Sequence, residues 1–102
     1  MGIDARIQSE VGEKIQELFD PYDLVAELLP DFSDNSSICL RFVDPYGDTI
    51  FNQGQIPVLI KELEVAIEKC KNPKAKEHGK KVLKLSKQAD RKVHTYLKFI
   101  GD

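Results

Sequence analysis

Residues 37–52 read S-I-C-L-R-F-V-D-P-Y-G-D-T-I-F-N, and this stretch predicts two strands joined by a tight turn. In a pleated strand, successive side chains point to opposite faces, so the residues on each side of the turn fall into two sets. One set contains Ile38, Leu40, Phe42 and Ile50, and the other contains Cys39, Arg41, Val43 and Phe51. The first set is wholly apolar and predicts a face in the core of the protein.

The turn itself is built from residues that favour tight turns. Asp44 can accept a hydrogen bond from a backbone N–H group further along the turn, and Pro45 fixes φ at the second position. Gly47 can adopt the left-handed conformation that closes a type I turn with a bulge. Turn geometry therefore explains most of D-P-Y-G-D, whereas Tyr46 has no structural role that the sequence reveals.

The second face of this hairpin is more apolar than a solvent-facing surface requires. If the strands pair around the turn, Arg41 faces Phe51 across the ladder, with Cys39 and Val43 nearby. A surplus of apolar side chains around one arginine is typical of a surface that binds another molecule. The candidate partner-binding residues are Arg41, Tyr46, Phe51, Asp44 and Asp48.

The segment L-R-F-V-D-P-Y-G-D-T-I-F-N, followed by Q-I-P-V-L-I-K-E-L-E, resembles a segment shared by small bacterial proteins to which no activity is assigned. The likeness covers residues 38–67 and, less strongly, the M-G-I-D-A-R start. It implies a bacterial protein and carries over no functional residues. Small α+β proteins of this kind often bind other proteins, as immunity proteins bind toxins, and that comparison is an analogy of fold.

Residues 3–19 match two periodicities. Ile3, Ala5 and Ile7 alternate with polar residues, which predicts a strand, and residues 14–19 would return as a second strand after Gly12. The apolar spacing between Ile7 and Leu18 also fits one amphipathic helix. We favour the hairpin, because Gly12 would cost a helix about 1 kcal/mol.

Capping residues and apolar spacing predict three helices. A short helix at 21–29 follows Asp20, whose carboxylate can accept hydrogen bonds from the free N–H groups of the first turn. A second helix spans 57–71, and a third begins with Asn72 as its cap and continues to residue 100. The apolar residues of the last helix, from Val82 onward, repeat at the 3.6-residue period.

These elements predict one two-layer α+β domain spanning residues 1–102. A mainly antiparallel sheet of about four strands is expected to be packed on one face by the two longer helices, with the short helix between the hairpins. The predicted core contains Leu40, Phe42, Ile50, Leu59, Leu63, Ile67, Leu85, Ala89 and Val93.

The charged residues are distributed unevenly. Residues 1–60 carry three basic and 11 acidic side chains, whereas residues 61–102 carry 12 basic and six acidic ones. Such asymmetry can reflect a charged partner, and it also arises when acidic loops lie beside a basic helix. Acidic loops at 20–35 and 44–48 would suit a basic partner.

The sequence contains neither a secretory signal nor a run of about 18 apolar residues that could span a bilayer, so we expect a cytoplasmic protein. Its two cysteines, Cys39 and Cys70, are then expected to be free thiols.

The sequence carries no catalytic or metal-binding motif and predicts neither a cofactor nor a metal. Asp44 and Asp48 flank the turn and could act as a carboxylate pair, and His94 follows Asp90 by one helical turn. Turn geometry already accounts for both turn aspartates, so an enzyme is the least favoured hypothesis.

A basic run in the last helix supports an alternative, a nucleic-acid-binding module. Its candidate residues are Lys80, Lys84, Lys87 and Arg91. The run is mostly lysine, which binds phosphate without the bidentate fork of arginine, and it contains no aromatic residue on which a base could stack.

The favoured hypothesis is a small non-enzymatic interaction protein that binds another protein, with an immunity-type role as one instance. Small size, the absence of catalytic motifs and the uneven charge support it. A homodimer through the C-terminal helix is also expected, because a helix from 73 to 100 would be roughly 40 Å long and would overhang a domain of this size.

Overall fold

A computed structural model describes residues 2–102 of the protein. It shows a four-stranded antiparallel sheet that is packed on one face by two helices. The strands are β1 (Asp4–Ser9), β2 (Lys14–Leu18), β3 (Asp48–Phe51) and β4 (Thr95–Ile100), in the sheet order β2-β1-β4-β3. The helices are α1 (Ile56–Lys69) and α2 (Pro73–Arg91). The predicted α+β class and its antiparallel sheet of four strands are confirmed.

One face of the sheet is buried and the other is partly open to solvent. Along β1 and β4 buried residues alternate with half-buried ones, as a sheet covered on one side requires. The buried side chains of the sheet pack in one cluster with α1 and α2, and they include Ala5, Ile7, Phe51, Leu97 and Phe99. Among residues 2–102, no helix is both long enough and apolar enough to cross a membrane.

The predicted hairpin over residues 3–19 is confirmed. Ala5 pairs with Leu18 and Ile7 pairs with Gln16 in an antiparallel ladder that has a bulge after Ile7. Gly12 takes φ of +86° in the turn, which is the left-handed conformation expected of it.

Residues 38–43 were predicted to form a strand, and that prediction is wrong. A 3-10 helix, Leu40–Phe42, occupies this position, and the following segment returns as the edge strand β3. The cause is Glu62 in α1, whose carboxylate accepts hydrogen bonds from the backbone N–H groups of Ile38, Cys39 and Leu40. These three N–H groups are therefore occupied by a side chain and do not form a strand ladder.

The D-P-Y-G turn is present, although its details differ from the prediction. Asp44 Oδ1 accepts from the backbone N–H of Tyr46 at 2.8 Å, as its position suggested. Gly47 does not take a positive φ, and a Cβ there would lie 2.8 Å from Asp44 Oδ2. The turn is anchored by the C-terminus, because the N–H of Gly101 donates to the carbonyl of Gly47 at 2.8 Å.

The C-terminal helix ends earlier than predicted, at Arg91 instead of residue 100. His94 reverses the chain with φ of +62°, and β4 then inserts between β1 and β3. Gln53 holds this corner, because its Nε2 atom lies 3.1 Å from the carbonyl oxygen of Ala89 and 2.9 Å from that of Thr95. The helix therefore has 19 residues and is about 28 Å long, so the argument for a dimer from a helix of roughly 40 Å no longer applies.

The predicted cap of α2 is confirmed, whereas the short helix after Asp20 differs from the prediction. The side chain of Asn72 accepts from the N–H groups of Lys74 and Ala75 at the start of α2, as predicted. The short helix expected at 21–29 is reduced to a 3-10 helix, Val25–Leu28.

Six of the nine residues predicted for the core are buried. The residues found buried are Leu40, Leu59, Leu63, Ile67, Leu85 and Ala89. Phe42 leaves the core with the 3-10 helix, Ile50 lies on the open face of the sheet, and Val93 lies in the turn before β4. All three are exposed.

Candidate functional site

Two exposed phenylalanines and an arginine form a cluster that we call the aromatic–arginine patch: Phe32, Arg41 and Phe42. The two rings meet edge to face with centroids 5.8 Å apart, and the guanidinium carbon of Arg41 lies 4.5 Å from the Phe42 ring centroid. Phe32 is 71% exposed and Phe42 is 46% exposed. Large aromatic side chains and arginine are enriched at protein interfaces, so this surface is of the kind that a partner contacts.

The patch is held by hydrogen bonds on both sides. Arg41 Nη1 donates to the carbonyl oxygen of Phe32 at 3.3 Å and to Asn35 Oδ1 at 3.1 Å. The backbone N–H of Arg41 donates to Ser37 Oγ at 2.9 Å, and Ser37 Oγ in turn donates to Glu62. These bonds hold the Arg41 guanidinium and the backbone carbonyl of Phe32 in place before any partner arrives, which lowers the entropy cost of binding.

The surroundings of the patch are acidic. Residues 19–48 contain seven acidic side chains, of which Asp20 is buried, and one basic one, Arg41. Asp31 and Asp34 flank Phe32, and hydrogen bonds from Ser33 to Asp31 and from Ser36 to Asp34 hold the pKa of each carboxyl below its usual value. The patch thus combines apolar contact area with a negatively charged rim, which favours a positively charged partner.

The structure separates the residues that the sequence suggested for partner binding. Arg41 belongs to the patch, and Tyr46 is 83% exposed on the neighbouring turn. Asp44 closes that turn and Asp48 pairs with Lys98 at 3.4 Å. Phe51 is buried with its ring centroid 6.0 Å from that of Phe99, so its prediction as a surface residue is wrong.

Sequence reasoning missed Phe32, and it missed Glu62 as the side chain that positions the patch. Phe32 is the only aromatic residue in the polar loop D-F-S-D-N-S-S. An aromatic side chain without apolar neighbours in its own segment is a signal that could have identified it. Glu62 gave no comparable signal, because its partners lie more than 20 residues away in the chain.

Beside the patch lies a groove of about 450 Å³ between residues 27–40 and α1, which we call the α1 groove. Its apolar lining includes Leu28, Pro30, Leu40, Val65 and Ala66. Its two sides carry opposite charges, with Glu27 and Asp34 on the loop side and Lys61 and Lys69 on α1. Cys70 lies at one end and is only partly buried.

The four cations proposed for nucleic-acid binding lie together on α2. Lys80, Lys84, Lys87 and Arg91 surround a shallow depression of about 300 Å³, to which Leu83 and Gln88 also contribute. Two of the cations have acidic neighbours, since Lys80 lies 3.5 Å from Glu77 and Lys87 lies 3.7 Å from Glu64.

The residues considered for catalysis have other partners. His94 is exposed and its Nδ1 atom contacts Glu10, which lies in the turn between β1 and β2. Burial raises the pKa of the Cys39 thiol, and the nearby Glu62 carboxylate raises it further, which disfavours the reactive thiolate. Within residues 2–102, no three His, Cys, Asp or Glu side chains are grouped so that they could hold a metal ion.

Comparison with protein-family models, with curated proteins and with solved structures finds no match for this chain.

Proposed function

We propose that the protein binds a positively charged protein partner through the aromatic–arginine patch. The observation that carries this proposal is the exposed pair Phe32–Phe42, fixed edge to face with Arg41 over the second ring. Burying the two rings and stacking a partner against the guanidinium would provide the central contact, and the acidic rim would attract basic side chains. An immunity-type role, in which the partner is a toxin, is one instance of this function.

The test is a comparison of three variants. We expect Phe32→Ala to weaken binding at least tenfold, about 1.4 kcal/mol, because the exposed ring loses its contact area in the complex. Arg41→Lys keeps the charge but loses the planar stacking group, and a similar loss is expected. Val11→Ala is the control, since Val11 is 79% exposed in the distant β1–β2 turn and its loss should not change the affinity.

The measurement is affinity capture from host lysate at low salt, followed by titration of the purified captured protein with each variant. A basic captured protein whose affinity falls with Phe32→Ala and with added salt supports the proposal. The proposal fails if Phe32→Ala and Val11→Ala bind that protein equally well, or if wild-type protein captures none.

We propose nucleic-acid binding by α2 as a second candidate, favoured by the clustering of Lys80, Lys84, Lys87 and Arg91 around one depression. Each phosphate contact releases counterions, so binding of labelled RNA or DNA should weaken steeply with salt. The double variant Lys84→Glu and Arg91→Glu should abolish it, whereas Phe32→Ala should leave it unchanged. No binding by wild-type protein at about 50 mM salt would contradict this candidate.

A further inference from the structure

Val65 breaks the amphipathic pattern of α1. The buried stripe of this helix consists of Ile56, Leu59, Leu63 and Ile67, and Val65 is nine residues after Ile56. At 100° per residue this places Val65 on the side of the helix opposite Ile56, where it is 49% exposed. The side chain therefore contributes nothing to the core of the monomer and instead lines the α1 groove.

The α1 groove around Val65 is lined by both basic and acidic side chains. Lys61 and Lys69 lie four residues before and after it on the same helix, and both line the α1 groove. Glu27 and Asp34 line the opposite side. A third acidic side chain in the groove, Glu62, is occupied by four internal hydrogen-bond donors. Glu27 Oε2 accepts from Asn72 Nδ2 at 2.7 Å and Asp34 Oδ1 accepts from Ser36, so each of these two carboxylates is engaged through one oxygen and offers the other to a partner. The rim thus has two cations and two anions that can make contacts, which favours neither a basic nor an acidic partner.

We propose that the α1 groove is a homodimer interface occupied by α1 of a second copy of this chain. A two-fold dimer uses the same patch on both subunits, so the patch must be complementary to itself. In such a dimer, Lys61 and Lys69 of the second copy face the acidic side of the groove in the first copy. The two-fold axis makes Lys61 and Lys69 of the first copy face the acidic side of the second in the same way. Val65 of each copy then enters the apolar groove of the other.

This interface is separate from the surface proposed for the basic partner. Phe32, Arg41 and Phe42 do not line the α1 groove, although Asp34 belongs both to the groove and to the acidic rim of the patch. The dimer is tested at Val65 and the basic partner at Phe32, so failure of one proposal can be distinguished from failure of the other.

Sedimentation velocity over a range of concentrations tests the dimer. Wild-type protein at about 0.5 mM should sediment mainly as a dimer and should dissociate on dilution, as expected for a weak interface. Val65→Glu should be monomeric at every concentration, because a carboxylate would enter the apolar groove unpaired. Val93→Glu is the control, since Val93 is 75% exposed outside the groove and the variant should still dimerise.

Charge exchange tests the pairing itself. The double variant Lys61→Glu and Lys69→Glu should be monomeric, and so should the variant Glu27→Lys, because each places like charges across the interface. Mixed in equal amounts, the two should form a heterodimer, since the new charges are complementary. Circular dichroism should show that each variant is folded, and Asp34 is left unchanged because its carboxylate orders the loop at Ser36.

Cys70 gives an independent readout, because it lines the groove while Cys39 is buried. Alkylation of Cys70 by a bulky maleimide should slow as wild-type protein is concentrated, and it should not slow in Val65→Glu. A wild-type monomer at 0.5 mM, or a dimer that survives both Val65→Glu and the lysine reversals, would overturn the proposal.

Discussion

Asp20→Ala is expected to lower the free energy of unfolding by about 4 kcal/mol, because it leaves several buried groups without their partner. The carboxylate is 1% exposed and accepts from the backbone N–H groups of Ile3, Leu24 and Val25 at 2.8–3.0 Å. His78 Nε2, which has no hydrogen-bond partner among residues 2–102, lies 3.7 Å from Asp20 Oδ1. One side chain thus joins the start of β1, the first 3-10 helix and α2.

Urea unfolding measures this effect. Asp20→Asn keeps the size of the side chain but replaces one acceptor oxygen with an NH₂ group facing N–H donors, so it should also be strongly destabilising. Asp90→Ala is the matched control, because Asp90 is exposed on α2 and should change the stability by less than about 0.5 kcal/mol. A loss below 1 kcal/mol in Asp20→Ala would contradict the structural role assigned to this carboxylate.

Asp20 also shows how far local sequence reasoning extends. The pattern D-P-Y-D predicts that Asp20 caps a helix beginning at Pro21, but the 3-10 helix begins at Val25 and its cap position is Leu24. Asp20 nevertheless accepts hydrogen bonds from the N–H groups of Leu24 and Val25. The bond from Ile3 and the approach of His78 depend on the folded chain, so no local pattern encodes them. Hydrogen bonding of Asp20 to nearby N–H groups was predictable because those donors are close in sequence, whereas the start of the helix and the burial of Asp20 were not.

The C-terminal strand was missed because its residues fit two periods. Val93, Tyr96 and Ile100 continue the helical spacing, whereas Leu97 and Phe99 alternate with polar residues as in a strand. The strand forms because β1 and β3 both pair with it, giving hydrogen bonds on its two edges. Such pairing is a tertiary effect that overrides local preference, which explains why fold class was predictable and strand identity was not.

The candidate site was predicted less well than the fold for a related reason. Arg41 belongs both to the residues predicted for partner binding and to the patch, but the prediction placed it on a hairpin face with Phe51. In the structure Phe42 replaces Phe51 as its aromatic neighbour, because residues 40–42 form a 3-10 helix and not a strand paired with β3. The determinant of that helix is Glu62, which comes 20 residues later than Phe42.

Glu62→Ala is therefore expected to destabilise the fold by about 3 kcal/mol at neutral pH and to disorder the aromatic–arginine patch. The carboxylate accepts from Ser37 Oγ and from the N–H groups of Ile38, Cys39 and Leu40, which would lose their partner together. Glu64→Ala is the control, because Glu64 is exposed on the same helix and forms an ion pair with Lys87 at 3.7 Å. Equal stability of the two variants would contradict the role of Glu62.

The contribution of Glu62 to the free energy of unfolding should also depend on pH, and it should decrease as the pH falls. Burial alone would raise the pKa of Glu62, but the hydrogen bonds from Ser37 and the three backbone N–H groups outweigh it and hold the pKa below its usual value. The pKa of Glu62 is lower in the folded protein than in the unfolded chain. The stabilisation by the Glu62 carboxylate is therefore fully present when the pH is above the pKa of the unfolded chain, and it is lost as the pH falls through the pKa of the folded protein.

Glu62→Gln isolates this contribution, since glutamine is close in shape to the protonated acid. At pH 7 the wild-type protein should be more stable than Glu62→Gln by about 2 kcal/mol, and below the folded pKa the two should converge. Other carboxylates with lowered pKa, such as Glu17, are present in both proteins, so their acid sensitivity cancels in the difference. A stability difference between wild type and Glu62→Gln that stays constant from pH 7 to pH 3 would show that the ionised carboxylate does not hold residues 38–40.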